Sequence, residues 1–357
     1  MAKKSLWLEI LTMTIIFGMM TVGCDNSSTG GKPNWRNFSM TEAVIISQSG
    51  IEAEGYFPDG KISIIKDETT RKYIAFWAEY ISFRTEADTP YLENHISQVT
   101  LENSVFGIGF DEQDGFNEGG SWFIGVHRLA DSRLVGFFHA ESHWPVGDGA
   151  YKSIGVTYSS DNGLTWESGK KILNANYKKA TTAEWGALGD GCVVYNEERG
   201  EFIAYYSGDT GNKSFKICMA VSSDPAGAPG TWKKWDGRNF TTEGYNSNTG
   251  VGGRDIAIEG LQHIAGANPS VMWNTYLQKW IMVYHGWNRV IYFSASYDGL
   301  VWDTPMPITD TTERAWYPNL ISEIGDTIGG QIVRLYYARF HSNLSTRDMA
   351  VRTITFD

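Results

Sequence analysis

Cysteine and positive charge are both scarce in this chain, and each shortage excludes something. Only three cysteines occur in 357 residues, Cys24, Cys192 and Cys218. None forms a CxxC pair or a Cys/His cluster, so no zinc site is expected. Cys192 and Cys218 fall in two strand-like runs, CVVYN and KICMAVSS. In the layout below these runs are non-adjacent strands, about 9–10 Å apart, too far for a bridge. Two free, packed thiols are expected. Lys and Arg number 30 against 41 Asp and Glu, a formal net charge of −11. A polyanion would meet repulsion over most of this surface instead of releasing counterions, so nucleic acid is not an expected partner. The glycine-rich run GVGGRDIAIEG from Gly250 lacks the Gly-Lys-Ser/Thr of a phosphate-binding loop. No cofactor is expected, and the sequence does not specify a structural Ca²⁺.

What the N-terminus does have is a targeting pattern. Lys3 and Lys4 precede an apolar stretch from Ile10 to Val22, and Gly23-Cys24 closes it. Thr21-Val22-Gly23-Cys24 resembles a bacterial lipobox, which implies a signal peptide over residues 1–23 and a lipid on Cys24. A plain cleavable signal and an uncleaved anchor are the alternatives. The polar, Gly-rich DNSSTGGKP that follows has the composition of a flexible tether. Residues 24–38 are therefore assigned to the tether and 39–357 to the folded domain. The expected product is a monomeric, exported lipoprotein of the bacterial cell envelope, attached to the membrane only through its lipid.

Aromatic residues make up 14% of the chain, beside 39 Gly, a composition of short strands with large packing side chains and tight turns. One supersecondary pattern recurs: a polar or Gly-rich step, a short apolar strand, a turn, then an aromatic-rich strand. It starts at Phe57, Asn117, Gly189, Gly266 and Trp316. Several copies continue into third and fourth strands, clearest in KSIGVTYSSDNGLTWESGKKIL and VIYFSASYDGLVWDTPM. Four strands per unit and five units predict an all-β, five-bladed propeller. The fifth unit has only one further strand, MAVRTITF from Met349, so TEAVIIS from Thr41 is expected to supply its last one and close the fold. Ser159, Asp161, Gly163, Thr165 and Trp166 fit the Asp-box turn Ser-x-Asp-x-Gly-x-Thr-Trp, and Ser296, Asp298, Gly299 and Trp302 fit a shortened form. The role expected of both is structural.

In a propeller the first strand of each blade starts on the face where the second strand ends. That rule gathers Asp59, Glu118, Asp190, Asn268 and Trp316–Asn319 from the starts. From the ends it gathers Glu79, His139–His143, Ser207–Asp209 and His285–Arg289. Asp59 and Asp190 also read as turn formers, and Glu79 and Asp209 as solvated loop carboxylates. In GFFHAESHWP a strand puts His139, Glu141 and His143 on one side at period two. An acid flanked by imidazoles is the expected reading; a metal site is the alternative, though the spacing is not that of helical zinc motifs. Trp144, Trp287 and Tyr317 are candidates for stacking on a sugar ring, with Arg254 and His285 as polar binding groups.

The five-unit plan, with GDGCVVYNEERGEFIAYYSGD, ANPSVMWNTYLQKWIMVYHGW and WYPNLISEIGDTIGGQIVRLYY, resembles the propeller glycoside hydrolases of families 43, 32 and 117 and their secreted relatives, from about residue 50 onward. The resemblance implies a carbohydrate substrate and a propeller-face Asp and Glu as catalytic pair, with a further Asp to tune them. Asp59 matches the first-blade Asp. The family places its acid Glu where this chain has Asp190, and only Glu118 stands near its second-blade Asp. Glu141 is taken as the acid from its placement. Two other readings stand: a non-catalytic glycan- or protein-binding propeller, and a sialidase whose arginine triad would draw on Arg84, Arg254, Arg289 and Arg314.

Overall fold

The computed structural model describes residues 33–47, 59–79, 82–106, 115–342 and 346–357. The leader and Cys24 lie outside the described residues. Within them the chain is all-β, apart from three short 3-10 helices at Leu92–Asn94, Ile96–Gln98 and Leu101–Asn103.

Two short strands, β1 (Phe38–Met40) and β2 (Val44–Ser47), precede five antiparallel units. The first unit is β3 (Ile62–Lys66), β4 (Tyr73–Trp77), β5 (Ser82–Ala87) and β6 (Ser104–Phe106); the second is β7 (Gly120–Arg128), β8 (Leu134–His143), β9 (Ala150–Ser159) and β10 (Lys170–Leu173). The third is β11 (Gly186–Asn196), β12 (Glu201–Asp209), β13 (Phe215–Ser222), β14 (Lys233–Trp235) and β15 (Phe240–Glu243). The fourth is β16 (Gly266–Asn274), β17 (Lys279–Gly286), β18 (Ile291–Ser296) and β19 (Met306–Pro307). In the fifth, β20 (Ala315–Ile321), β22 (Ile332–Phe340) and β23 (Arg347–Phe356) pair in order, while β21 (Ile328–Gly329) runs parallel to β16. Consecutive strands pair because tight hairpin turns suffice to join them. The second and third units share one sheet through the parallel pairs Gly186↔Tyr151 and Ala187↔Lys152.

Both N-terminal strands pair with β23, β1 along Ile354–Phe356 and β2 along Met349–Val351. The run from Thr41 thus lies where the pattern puts it, and β1 adds a pairing that the sequence reading lacks. Trp35 is 4% exposed, donates its Nε1–H to Asp303 Oδ2 at 2.7 Å and meets Phe293 edge-on at 5.5 Å. The fold therefore begins by Trp35, inside the stretch assigned to the tether.

The core is a set of clusters between units. Ile74 and Phe76 of the first pack with Phe123 and Phe138 of the second. Phe137 and Val156 meet Tyr206 and Ala220; Tyr205 and Met219 meet Met282 and Tyr284; Ile281 and Phe293 meet Leu335 and Ile354. Ile64 and Trp77 of the first unit meet Tyr336 and Val351 of the fifth. Successive side chains on a strand face opposite ways, so neighbours such as Tyr205 and Tyr206 serve different clusters. Both faces of these strands are buried, which is why they read as apolar runs instead of alternating ones. Cys192 and Cys218 lie on β11 and β13, either side of β12, as buried free thiols.

The turn after β9 is held by side chains. Asp161 Oδ1 accepts from Thr165 N–H at 2.9 Å, and Ser159 Oγ accepts from Gly163 N–H at 2.9 Å. Gly163 takes φ of +83°, which L residues seldom adopt. Trp166 lies 5.7 Å from Phe76 and 4.8 Å from Phe123, bridging two units. After β18, Asp298 Oδ1 accepts from Leu300 and Val301 N–H at 2.8 and 3.0 Å, and Trp302 meets Tyr205 at 5.8 Å. Both turns are structural and stand away from the site described next.

Candidate functional site

The ends of second strands and the starts of first strands surround a cavity of about 790 Å³, lined from all five units. The backbone is built to aim residues at it. In the third, fourth and fifth units the first strand bulges, with register skips between Gly189 and Cys192, Ala267 and Ser270, and Trp316 and Asn319. At each bulge a non-glycine residue takes positive φ: Asp190 at 48°, Asn268 at 51° and Tyr317 at 50°. All three line the cavity. A bulge re-aims one side chain out of the strand's alternation, and strained residues of this kind gather at functional sites.

Glu141, 8% exposed, sits between two imidazoles. His139 Nε2 lies 3.1 Å from Oε1 and His143 Nε2 2.8 Å from Oε2. Asp190 N–H donates to His139 Nδ1 at 2.9 Å, so that nitrogen is unprotonated and Nε2 carries the hydrogen given to Glu141. A Cβ at Gly189 would lie 2.1 Å from His139 Nδ1, so only glycine admits the ring there. Burial pushes the Glu141 carboxyl up, but the hydrogen bonds of His139 and His143 and nearby positive charge, Lys152 included, outweigh it and hold the group well below the ordinary carboxylate range. Its bond to Glu141 raises His143.

Asp190 receives Lys152 Nζ at 2.6 Å. Burial raises its carboxyl, and the charge of Lys152 more than reverses this. Burial alone would lower Lys152, yet Asp190 and Glu141 keep it charged. Asp59 stands at the opposite side of the chemistry. Arg347 donates to its Oδ1 at 2.9 Å and Trp122 Nε1 to its Oδ2 at 3.1 Å. Even so, burial wins, with a further push from Glu141, and the Asp59 carboxyl is raised. Two carboxyls in one cavity are thus driven in opposite directions.

Of the residues expected at a site, Asp59, Glu141, Asp190, His139, His143, His285, Trp287 and Tyr317 line this cavity together. Trp144 and Arg254 do not. Trp144 donates its Nε1–H to Ala180 O at 2.9 Å beneath Lys179, and Arg254 is exposed elsewhere. Glu118 accepts from Ser142 Oγ at 2.6 Å outside the lining, and Asp209 accepts from Tyr177. Glu79 lines the cavity at 5% exposure, not as a solvated loop group. Arg84, Arg254, Arg289 and Arg314 are all absent from the lining, so no sialidase-like arginine triad forms from them. His139, Glu141 and His143 face each other, and among the described residues no group of three or more His, Cys, Asp or Glu is placed to hold a metal ion.

Lys152, Phe215 and Arg347 were missed by the sequence reading. Each lies at or beside the start of a third strand, β9, β13 and β23. A third strand starts where the second ends, so the rule that found Glu141 reaches these residues when carried one hairpin further. Phe340 ends the second strand of the fifth unit, where the rule already points, while Trp185 had no such signal. Trp185 and Trp287, 48% and 45% exposed, stand at the cavity's rim.

No family model matches the sequence, and no curated protein does. Among solved structures the chain is similar to an exo-β-1,3-galactanase from Phanerochaete chrysosporium, with a TM-score of 0.51 and 10% identity over 87% of this chain and 64% of that one. The chain therefore spans less than two thirds of that protein's length. An α-L-arabinanase from Penicillium chrysogenum aligns at a TM-score of 0.47 and 12% identity, covering 89% of this chain and 98% of that one. The catalytic domain of the Coprinopsis cinerea GH62 α-L-arabinofuranosidase aligns at 0.48 and 10%, covering 90% and 96%. At such identities the likeness to the galactanase is one of fold.

Proposed function

We propose that this chain is an exported glycoside hydrolase, a five-bladed β-propeller anchored through lipid on Cys24, that cleaves poly- or oligosaccharide with Asp59 and Glu141. The fold part is supported by the five antiparallel units and by the clusters joining each to the next and the fifth to the first. The observation that carries the activity is the pair of carboxyls, Asp59 and Glu141, lining one cavity in surroundings that push one up and the other down. Glycoside cleavage needs a protonated carboxyl to give its proton to the departing oxygen and an ionised one to activate water or attack carbon.

The roles run opposite to the expected ones. Glu141, depressed by two imidazole donors, is the ionised base or nucleophile; Asp59, raised by burial, is the acid. This order puts the acid's pKa above the base's, so between the two values most molecules hold one proton, on Asp59, and leave Glu141 ionised. With Glu141 as acid, few would. Asp190 fixes the His139 tautomer through its N–H and holds Lys152 beside Glu141.

Release of reducing sugar from a panel of plant and algal polysaccharides tests this. Turnover that vanishes in Glu141→Gln and in Asp59→Asn is expected; turnover that survives both sinks the assignment. A non-catalytic carbohydrate-binding role is favoured by one fact, that Asp59 and Asp190 are both ion-paired. It predicts sugar binding without product on any substrate.

A further inference from the structure

His285 is 1% exposed and belongs to the cavity lining. Its Nδ1 accepts the backbone N–H of Tyr317 at 3.3 Å, which leaves the hydrogen on Nε2. That Nε2–H has no hydrogen-bond partner among the described residues. An unpaired buried donor costs about 1–3 kcal/mol, so such a group in a cavity wall marks where a ligand acceptor belongs. The ring cannot swing away to find another partner. Trp316 stacks on it at 4.8 Å and 12°, and Trp287 meets it edge-on at 5.7 Å. The stacked indole carries a second unpartnered buried donor, Nε1–H of Trp316.

The acceptor's chemistry follows from what surrounds it. Burial holds the imidazole neutral, with its pKa lowered to about 3. The lysines of the lining are already paired, Lys61 with Asp326 and Lys152 with Asp190. A carboxylate or sulfate accepting from this neutral imidazole would be a buried anion held by an uncharged donor, which is costly. The same wall is apolar, with Trp287, Trp316 and Phe340 in edge contact at 5.9 and 5.3 Å. An acyl group offers an uncharged acceptor oxygen next to a methyl that such a wall shelters.

Building on the carbohydrate reading above, we infer that His285 Nε2–H receives the carbonyl oxygen of an acylated sugar, an acetamido or O-acetyl group, with the methyl against the Trp287–Trp316 wall. Calorimetry on the full chain tests it with N-acetylglucosamine, N-acetylgalactosamine, their parent hexoses and the matching uronic acids. The acetylated sugars are expected to bind about tenfold tighter than the parents, the worth of pairing one buried donor. His285→Phe, which keeps the stack and removes the donor, should bring that ratio below about threefold. In the unsubstituted protein the His285 Nε2–H resonance should move with the acetylated sugar and not with the parent, a readout independent of how the variant folds. Equal binding of acetylated and parent sugars, or preference for a uronic acid, overturns this inference and leaves the carbohydrate reading standing. No binding by any of these sugars overturns both.

Discussion

His139 and His285 stand at matching places, near the ends of the second strands of the second and fourth units, each beside a bulge in its partner strand. Each accepts a backbone N–H from a left-handed residue of the next unit, Asp190 for one and Tyr317 for the other. The two rings therefore hold the same tautomer for the same reason. They differ in what Nε2–H meets. His139 finds Glu141 at 3.1 Å, while His285 finds no partner among the described residues. One structural device thus yields a finished charge site in one unit and an open donor in another. The scaffold's repetition sets the direction of each hydrogen, and the neighbouring side chain decides its use.

Glu141→Gln breaks the finished half most severely. An amide cannot carry the charge the two imidazoles support, and kcat/KM should fall about 10³-fold with the near-UV circular dichroism unchanged. Gly189→Ala strikes the same half through geometry. Its Cβ would lie 2.1 Å from His139 Nδ1, and moving the ring should cost about 10²-fold in kcat/KM; undiminished activity would show that His139 does not orient Glu141.

Lys152→Met sharpens the electrostatic side of the comparison. Lys152 helps hold Glu141 low, so without it the acid limb of the pH–rate profile should move up by about one pH unit. The sign follows from the depressed group: Glu141's charge favours the fold and the activity at higher pH, and both are lost as pH falls through its lowered value. A limb that moves down contradicts this. The smallest effect on activity is expected far from the cavity. Asp161→Ala removes the bond to Thr165 N–H and should lower stability by about 1–2 kcal/mol in urea melts, leaving kcat/KM as it was.

The repeat was legible because it is local: each unit writes its own apolar strand, turn and aromatic strand into consecutive residues. The face of the site was legible for the same reason, and His139, Glu141 and His143 follow from the alternation of one strand. The protonation of that site was not. Glu141 looks like an acid when only its strand is read; its depression comes first from the hydrogen bonds of His139 and His143, the first in a tautomer set by Asp190 of the next unit, and then from Lys152 on the next strand. Asp59 is raised by burial beneath elements far apart in the chain, and Arg347 reaches it across 288 positions. Left-handed conformation at Tyr317 also has no sequence mark, since no glycine or asparagine announces it.

Titration of the side-chain carboxyl carbons by ¹³C NMR, assigned with Glu141→Gln and Asp59→Asn, measures the division of labour directly and needs no substrate. The account predicts that Glu141 titrates below the ordinary glutamate value of 4.5 and Asp59 above the ordinary aspartate value of 3.8, with Asp59 the higher of the two. Glu141 titrating above Asp59 would contradict it.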